Sequence, residues 1–136
     1  MYLSVQLLIR MKIFLLFILM IKLSVGVIVQ IGGDIDGEAA GDFSGGSVSL
    51  SSDGKTVAIG AYGNDGTGTN AGHVRVYNWN GTTRVQIGGD IDGEAAGDYS
   101  GISVSLSSNG STVAIGAQTN DGTGTNAGHV RVYNWN

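Results

Sequence analysis

The chain contains no cysteine, which excludes both a disulfide framework and a thiolate metal site. Proline is absent as well, whereas glycine supplies 24 of the 136 residues, well above its usual share of about 7%. Charge is scarce. Asp, Glu, Lys and Arg make up 13% of the chain, about half the common level. Basic charge is scarcest: Arg10, Lys12 and Lys22 lie in an apolar leader, and only Lys55, Arg75, Arg84 and Arg131 come after it. All eleven acids lie from Asp34 onward, so the segment after the leader carries seven net negative charges. Nucleic-acid binding rests on Lys and Arg contacts to phosphate, and no such partner is expected; cations or basic protein surfaces suit this charge better. A long hydrophobic run is also missing. Residues 13–21 form an apolar stretch of nine, short of the roughly 20 that a spanning helix needs. The 42% hydrophobic content excludes a disordered composition, and the length allows one ordinary domain at most.

The leader has the order of parts of a secretory signal peptide: Lys12, the apolar run, then small Ser24 and Gly26 around a cleavage point after Gly26. Met11 can serve as the start. The competing reading is an uncleaved anchor, which alone would bring the chain to a membrane. The expected division is a signal helix over 1–26, a first repeat over 27–84 and a second over 85–136, in a secreted or cell-surface protein.

Beyond the leader the chain is an internal repeat. VQIGGDIDGEAAGD starts at Val29 and at Val85, and GHVRVYNWN ends at Asn80 and at Asn136. Pairing 29–80 with 85–136 leaves six differences: Phe43/Tyr99, Gly46/Ile102, Asp53/Asn109, Lys55/Ser111, Tyr62/Gln118 and Gly63/Thr119. A period of this length indicates supersecondary units that cannot bury a core alone. Each unit predicts four strands, at 47–51, 56–61, 72–79 and 83–89 in the first, from period-two alternation rich in β-branched residues. The chain enters at a fourth-strand position (27–31) and stops after the third strand of the second unit. Either a longer array or several assembling copies would then complete the structure. One face of each sheet is expected to carry Val, Ile and Leu. The other is expected to be small in two strands (Ser47, Ser49, Ala58, Gly60) and large in the third.

Two connections are short and centred on Asp53-Gly54 and Asn80-Gly81, both hairpin signals. Two are long, 61–72 and 32–45. In an up-and-down sheet alternate connections emerge at the same end, so the long loops share one end and gather Asp34, Asp36, Glu38, Asp42 and Asp65. The expected class is all-β, with two four-stranded antiparallel blades stacked radially as in a β-propeller.

Ser44-Gly45-Gly46-Ser47-Val48, Gly60-Ala61-Tyr62, Gly116-Ala117-Gln118 and Gly72-His73-Val74-Arg75-Val76-Tyr77 together resemble the FG-GAP repeats of the integrin alpha-subunit propeller. Serine replaces the family's phenylalanine, and the GAP proline is absent. The resemblance implies a propeller in an extracellular protein, for adhesion or for binding a protein or glycan ligand, sometimes with calcium.

Asp34, Asp36, Glu38 and Asp42, repeated as Asp90, Asp92, Glu94 and Asp98, are the candidate metal ligands. Calcium takes six to eight oxygens at flexible spacing, and alternating acids in a glycine-bearing loop can converge on one ion. The alternative is that these acids cap turns. The spacing is similar to the family's D-x-D-x-D-G-x-x-D loop, with glycine earlier and the loop lying between blades. His73 and His129 each head a strand with no carboxylate at ligand spacing, so a packing role is expected. Gly41-Asp42-Phe43-Ser44-Gly45-Gly46 is superficially like a serine-protease segment, but no motif positions a His–Asp pair. Trp79, Trp135, Tyr77 and Tyr133 are expected to pack between blades. Asn80-Gly81-Thr82 and Asn109-Gly110-Ser111 match the N-glycosylation pattern. The leading expectation is an exported, non-enzymatic binding or adhesion module. The alternative is a structural module that assembles with further repeats or as a homo-oligomer; a hydrolase lacks a nucleophile–base pair.

Overall fold

The computed structural model describes residues 4–7, 9–10, 12 and 26–136. Contacts divide the chain into Met1–Gln30 and Ile31–Asn136. In the first part the described residues 4–7, 9, 10 and 12 are helical, and the apolar run 13–21 on which the signal-peptide reading rests lies outside the described residues. Among the described residues no helix is long and apolar enough to cross a membrane.

The second part is built from β-strands. The first sheet contains β1 (Ser47–Leu50), β2 (Thr56–Ala61), β3 (His73–Trp79), β4 (Arg84–Gln86) and β5 (Ile91–Asp92). Its order is β1-β2-β3-β4, with β5 also paired to β3, all antiparallel. The second sheet contains β6 (Ser103–Leu106), β7 (Thr112–Ala117) and β8 (His129–Asn134), in the order β6-β7-β8. Residues 27–31, expected as a strand, are not in strand conformation and are exposed. The expected fourth strand at 83–89 is also interrupted. It breaks at Gly88, which has φ +68°, and pairing with β3 resumes at Ile91 and Asp92. The linker thus runs on along β3 to its beginning and does not leave the sheet at once.

The hairpin signals hold. At Asp53-Gly54 the Ser51 hydroxyl (2.7 Å) and the Lys55 N–H (3.0 Å) both donate to Asp53 Oδ1, and Gly54 adopts φ +72°. At Asn80-Gly81 the side-chain oxygen of Asn80 accepts the Thr82 and Thr83 N–H groups, each at 2.9 Å. Asn80 and Asn109 are both exposed.

Pairing register corrects the expected faces. Ala58 lies opposite Val76 and Gly60 opposite Val74, while Ile59 lies opposite Arg75 and Val57 opposite Tyr77. The small residues of β1 and β2 therefore share their face with Val74 and Val76. The large residues of β3 share the face of Val48, Leu50, Val57 and Ile59. The physical reason is simple: alternation within a strand says which residues sit together on that strand, and only the cross-strand register joins one strand's faces to the next.

The two sheets stack with the small face of the first against the apolar face of the second. Ala58, Val74, Val76, Val113 and Ile115 form the core, with Val104, Leu106, Tyr133 and Trp135 packed on it. Tyr133 and Trp135 thereby take the expected packing role. Tyr77 and Trp79 lie instead beside Arg75 (5.8 Å) and Arg84 (5.6 Å). Small residues let the sheets approach closely. The Ser47 hydroxyl donates to the Gly101 carbonyl (2.7 Å), and the Leu106 N–H donates to Ser49 Oγ (2.9 Å). A methyl group added at Gly60 would strike the Gly101 carbonyl oxygen.

One consequence of this stacking is a pair of bare faces. Val74 and Val76 are 0% and 2% exposed, but their counterparts Val130 and Val132 are 66% and 64% exposed. On the opposite side Val48 and Leu50 are exposed, while their counterparts Val104 and Leu106 are packed on the core.

Candidate functional site

The register places both long connections at one end, as expected. Ser47 begins β1 opposite Gly60, Ala61 ends β2 opposite His73, and Asp92 ends β5 opposite His73. The linkers and the 62–72 and 118–128 loops meet there. Ten of the eleven acids lie at this end, Asp53 being the exception.

These acids do different work. Asp42 is 4% exposed and Asp98 3%. Asp42 Oδ2 accepts the Ala39 N–H (3.0 Å) and the Asn64 side-chain amide (3.1 Å). Asp98 repeats this with Ala95 (3.0 Å) and Asn120 (2.9 Å). Each carboxylate thus braces its linker to the next long loop. Asp65 and Asp121 accept the N–H groups of Asn70 and Asn126, both at 2.7 Å. These bonds fold their loops into turns, with Asn70 and Asn126 in the left-handed region at φ 53° and 54°.

Glu38 and Glu94 each face an arginine and stay exposed. The Arg75 guanidinium donates to the Asp36 carbonyl (2.6 Å) and places Nη1 3.7 Å from Glu38 Oε1. Arg131 does the same with the Asp92 carbonyl and with Glu94 Oε1 at 3.8 Å. Each linker is therefore clamped by the arginine of the third strand of its own unit. Within each linker, Glu38 and Glu94 thus face an arginine, while Asp42 and Asp98 face a backbone N–H and an asparagine amide.

One cluster crosses repeats. His73 is buried at 1% exposure. Its Nδ1 lies 3.8 Å from Glu38 Oε2 and 3.8 Å from Asp90 Oδ2. Among the described residues this is the set whose imidazole and carboxylate atoms could hold a metal ion, all within 4.8 Å of one another. The expectation that His73 lies without carboxylates is corrected by this geometry. The acids come from both neighbouring linkers, brought in by the Arg75 clamp and by the return of β5 along β3. The available signal is the period itself: Glu38, His73 and Asp90 all have repeat-related positions, but ligand spacing along one strand does not reveal them. In the second unit His129 Nδ1 lies 3.7 Å from Glu94 Oε2.

In the serine segment no histidine lies within hydrogen-bond distance of Ser44 or Ser100 among the described residues. The Ser100 hydroxyl lies 3.4 Å from Arg131 Nη2, and Ser44 Oγ is buried without a partner. Phe43, at φ 52°, stacks on Tyr62 with ring centres 5.2 Å apart, and Tyr62 meets Tyr99 at 6.2 Å. These rings line up across the two units.

The FG-GAP repeat model matches the chain twice, over residues 35–77 and 91–133. No curated protein matches it significantly. The matched segments run from the acidic linker to the third strand of each unit, which is the portion that builds the stacked faces and the loop end.

Proposed function

The chain belongs to the FG-GAP repeat family, and from that premise we propose that it is an exported, non-enzymatic binding or adhesion module that meets an extracellular protein or glycan through its long-loop end. The observation that carries this reading is the segregation of ten of eleven acids to that end, while Lys55 and Arg84 lie at the other. With Arg75 and Arg131 paired there to Glu38 and Glu94, the end keeps a net excess of negative charge, and such an excess attracts and orients a partner of opposite sign. The leader's order of basic residue, apolar run and small residues supports export to the surface or the medium. Exposed Asp34, Asp36 and Asp92 can offer oxygens to a calcium ion at the partner interface. The test is a screen of the full chain against an array of extracellular proteins and glycans, with and without millimolar calcium. A basic or calcium-bridged hit should be lost in the D34N/D36N/D92N variant. A hit that survives those substitutions would refute the loop-end reading.

A second reading, assembly, is favoured by the two bare faces. The Val130–Val132 side of the second sheet has the composition of the Val74–Val76 side that the second sheet covers. The Val48–Leu50 side has that of the covering sheet. A further repeat or a second copy can therefore stack head to tail by the contact already present inside the chain. Such a heterologous contact closes into a ring or runs on as a filament. Sedimentation at rising concentration distinguishes it: self-association lost in V130S/V132S supports assembly, and a concentration-independent monomer refutes it for this chain.

A further inference from the structure

We propose that Glu38, His73 and Asp90 form a binding site for one divalent transition-metal ion of the zinc class, at the boundary between the two repeats. Its elements come from three places: Glu38 from the linker before β1, His73 from the first position of β3, and Asp90 from the residue before β5.

Distance argues first. The imidazole nitrogen lies 3.8 Å from each carboxylate oxygen, beyond the usual hydrogen-bond limit of about 3.2 Å. Two donors that share one zinc ion at about 2.0–2.2 Å sit roughly 3.4 Å apart. The three atoms lie within 4.8 Å of one another, so the widest gap closes by up to about 1.4 Å to hold one ion, and two of the three side chains are partly exposed.

Orientation argues second. Each carboxylate has one oxygen toward another protein group, an ion-pair contact for Glu38 and a hydrogen bond for Asp90, and the other turned to His73. Glu38 Oε1 faces Arg75 while Oε2 faces Nδ1. Asp90 Oδ1 accepts the Gln86 side-chain amide at 2.7 Å while Oδ2 faces Nδ1. An outer hydrogen bond like that of Gln86 to Asp90 orients a metal ligand. Burial argues third. A side chain exposed by 1% normally has its polar atoms paired, yet Nδ1 of His73 faces two carboxylate oxygens beyond bonding range. A cation between them is the group that makes this convergence favourable.

Charge and donor type choose the ion. Arg75 offsets one of the two carboxylates, which leaves room for a divalent ion. An imidazole with two carboxylates suits zinc and its neighbours in the transition series, whereas calcium takes a larger, all-oxygen set. This site is therefore separate from calcium held by Asp34, Asp36 and Asp92, and it stands or falls independently of the loop-end partner. The second unit is an internal control. Among the described residues it brings Glu94 alone to His129, whose side chain is more exposed, at 27%.

The experiment is a zinc titration of the full-length chain in metal-free buffer, read by calorimetry and by competition with a chromophoric chelator. One ion per chain is expected. H73Q should abolish binding, D90N and E38Q should each weaken it at least tenfold, and H129Q should leave it unchanged. Because replacing buried His73 can unfold the chain, D90N, at an exposed residue, carries the test alone if H73Q does not fold. Cobalt substitution should give a visible absorption band that is lost in D90N. No uptake, uptake indifferent to D90N and E38Q, loss in H129Q, or displacement of zinc by millimolar calcium would each overturn the proposal.

Discussion

Identical local sequence in two environments allows a clean test of stacking. Val74 and Val130 sit in the same nine-residue segment, GHVRVYNWN, so strand propensity and nearest neighbours cancel between them. Val74 is fully buried and Val130 is 66% exposed. Truncating Val74 to Ala removes two buried methyl groups, worth about 0.8 kcal/mol each. The cavity adds to that, for a total of about 2–3 kcal/mol. Val130→Ala should cost about 0.5 kcal/mol or less, as at most surface positions. For a domain near 100 residues each kcal/mol moves Tm by about 4–8 °C. Val74→Ala should therefore lower Tm by roughly 10 °C or more, and Val130→Ala by a few degrees at most. The assay is thermal unfolding by circular dichroism in dilute solution, repeated over a hundredfold range of concentration. If copies stack head to tail, the cost of Val130→Ala should rise with concentration while that of Val74→Ala stays fixed. Equal losses at the two positions in dilute solution would refute the stacking on which the account rests.

Other outcomes derive from the same packing. Gly60→Ala should be far more damaging than Gly116→Ala. The new methyl meets the Gly101 backbone carbonyl in the first case and only the Ser103 side chain nearby in the second; denaturant midpoints check this, and equal shifts would contradict it. Asp42→Ala leaves the Ala39 N–H and the Asn64 amide without their buried acceptor and should cost about 2–4 kcal/mol; a loss below about 0.5 kcal/mol would refute the bracing role. The Asp53 carboxyl is held below its ordinary value by the Ser51 hydroxyl, then by the Lys55 N–H, with the Lys55 charge assisting against some desolvation. A depressed carboxyl stabilises the fold above its unfolded pKa and loses that contribution as pH falls through its folded pKa. Asp53→Asn, the residue that the second unit carries as Asn109, should flatten the acid limb of stability as pH falls below the ordinary carboxyl value of 3.8. An unchanged acid limb in urea titrations would contradict it.

The fold is legible where one strand or one turn carries the signal. Alternation marks β1, β2 and β3 and their counterparts, Asp53-Gly54 and Asn80-Gly81 mark the hairpins, and loop length with strand parity places the acids at one end. What alternation does not encode is how neighbouring strands register. The eleven residues between Ala61 and His73 leave that choice to packing, so alternation alone puts the partners of Val74 and Val76 on the wrong face. The fourth strand is obscured for a related reason: Gly88 breaks it, and the pairing that resumes at Ile91 hides within a glycine-rich acidic linker. The histidine cluster is hidden because its carboxylates lie 35 residues before and 17 residues after His73, joined only by the stacking of one linker over β3 and the return of the next along it. The turn-capping role of Asp42 and Asp98 toward Ala39 and Ala95 is legible in the sequence, but nothing local announces that Asn64 and Asn120 will also bind and help bury them.

The most direct test of the central claim is a methyl–methyl nuclear Overhauser measurement on the isotope-labelled chain in dilute solution. Cross-peaks are expected between the methyls of Val74 and Val76 and those of Val104 and Leu106, with none from Val130 and Val132 to Val48 and Leu50 until the concentration is raised. Val74 and Val76 methyls that meet only residues of their own sheet would contradict the stacked blades, and with them the shared loop end and the site between the repeats.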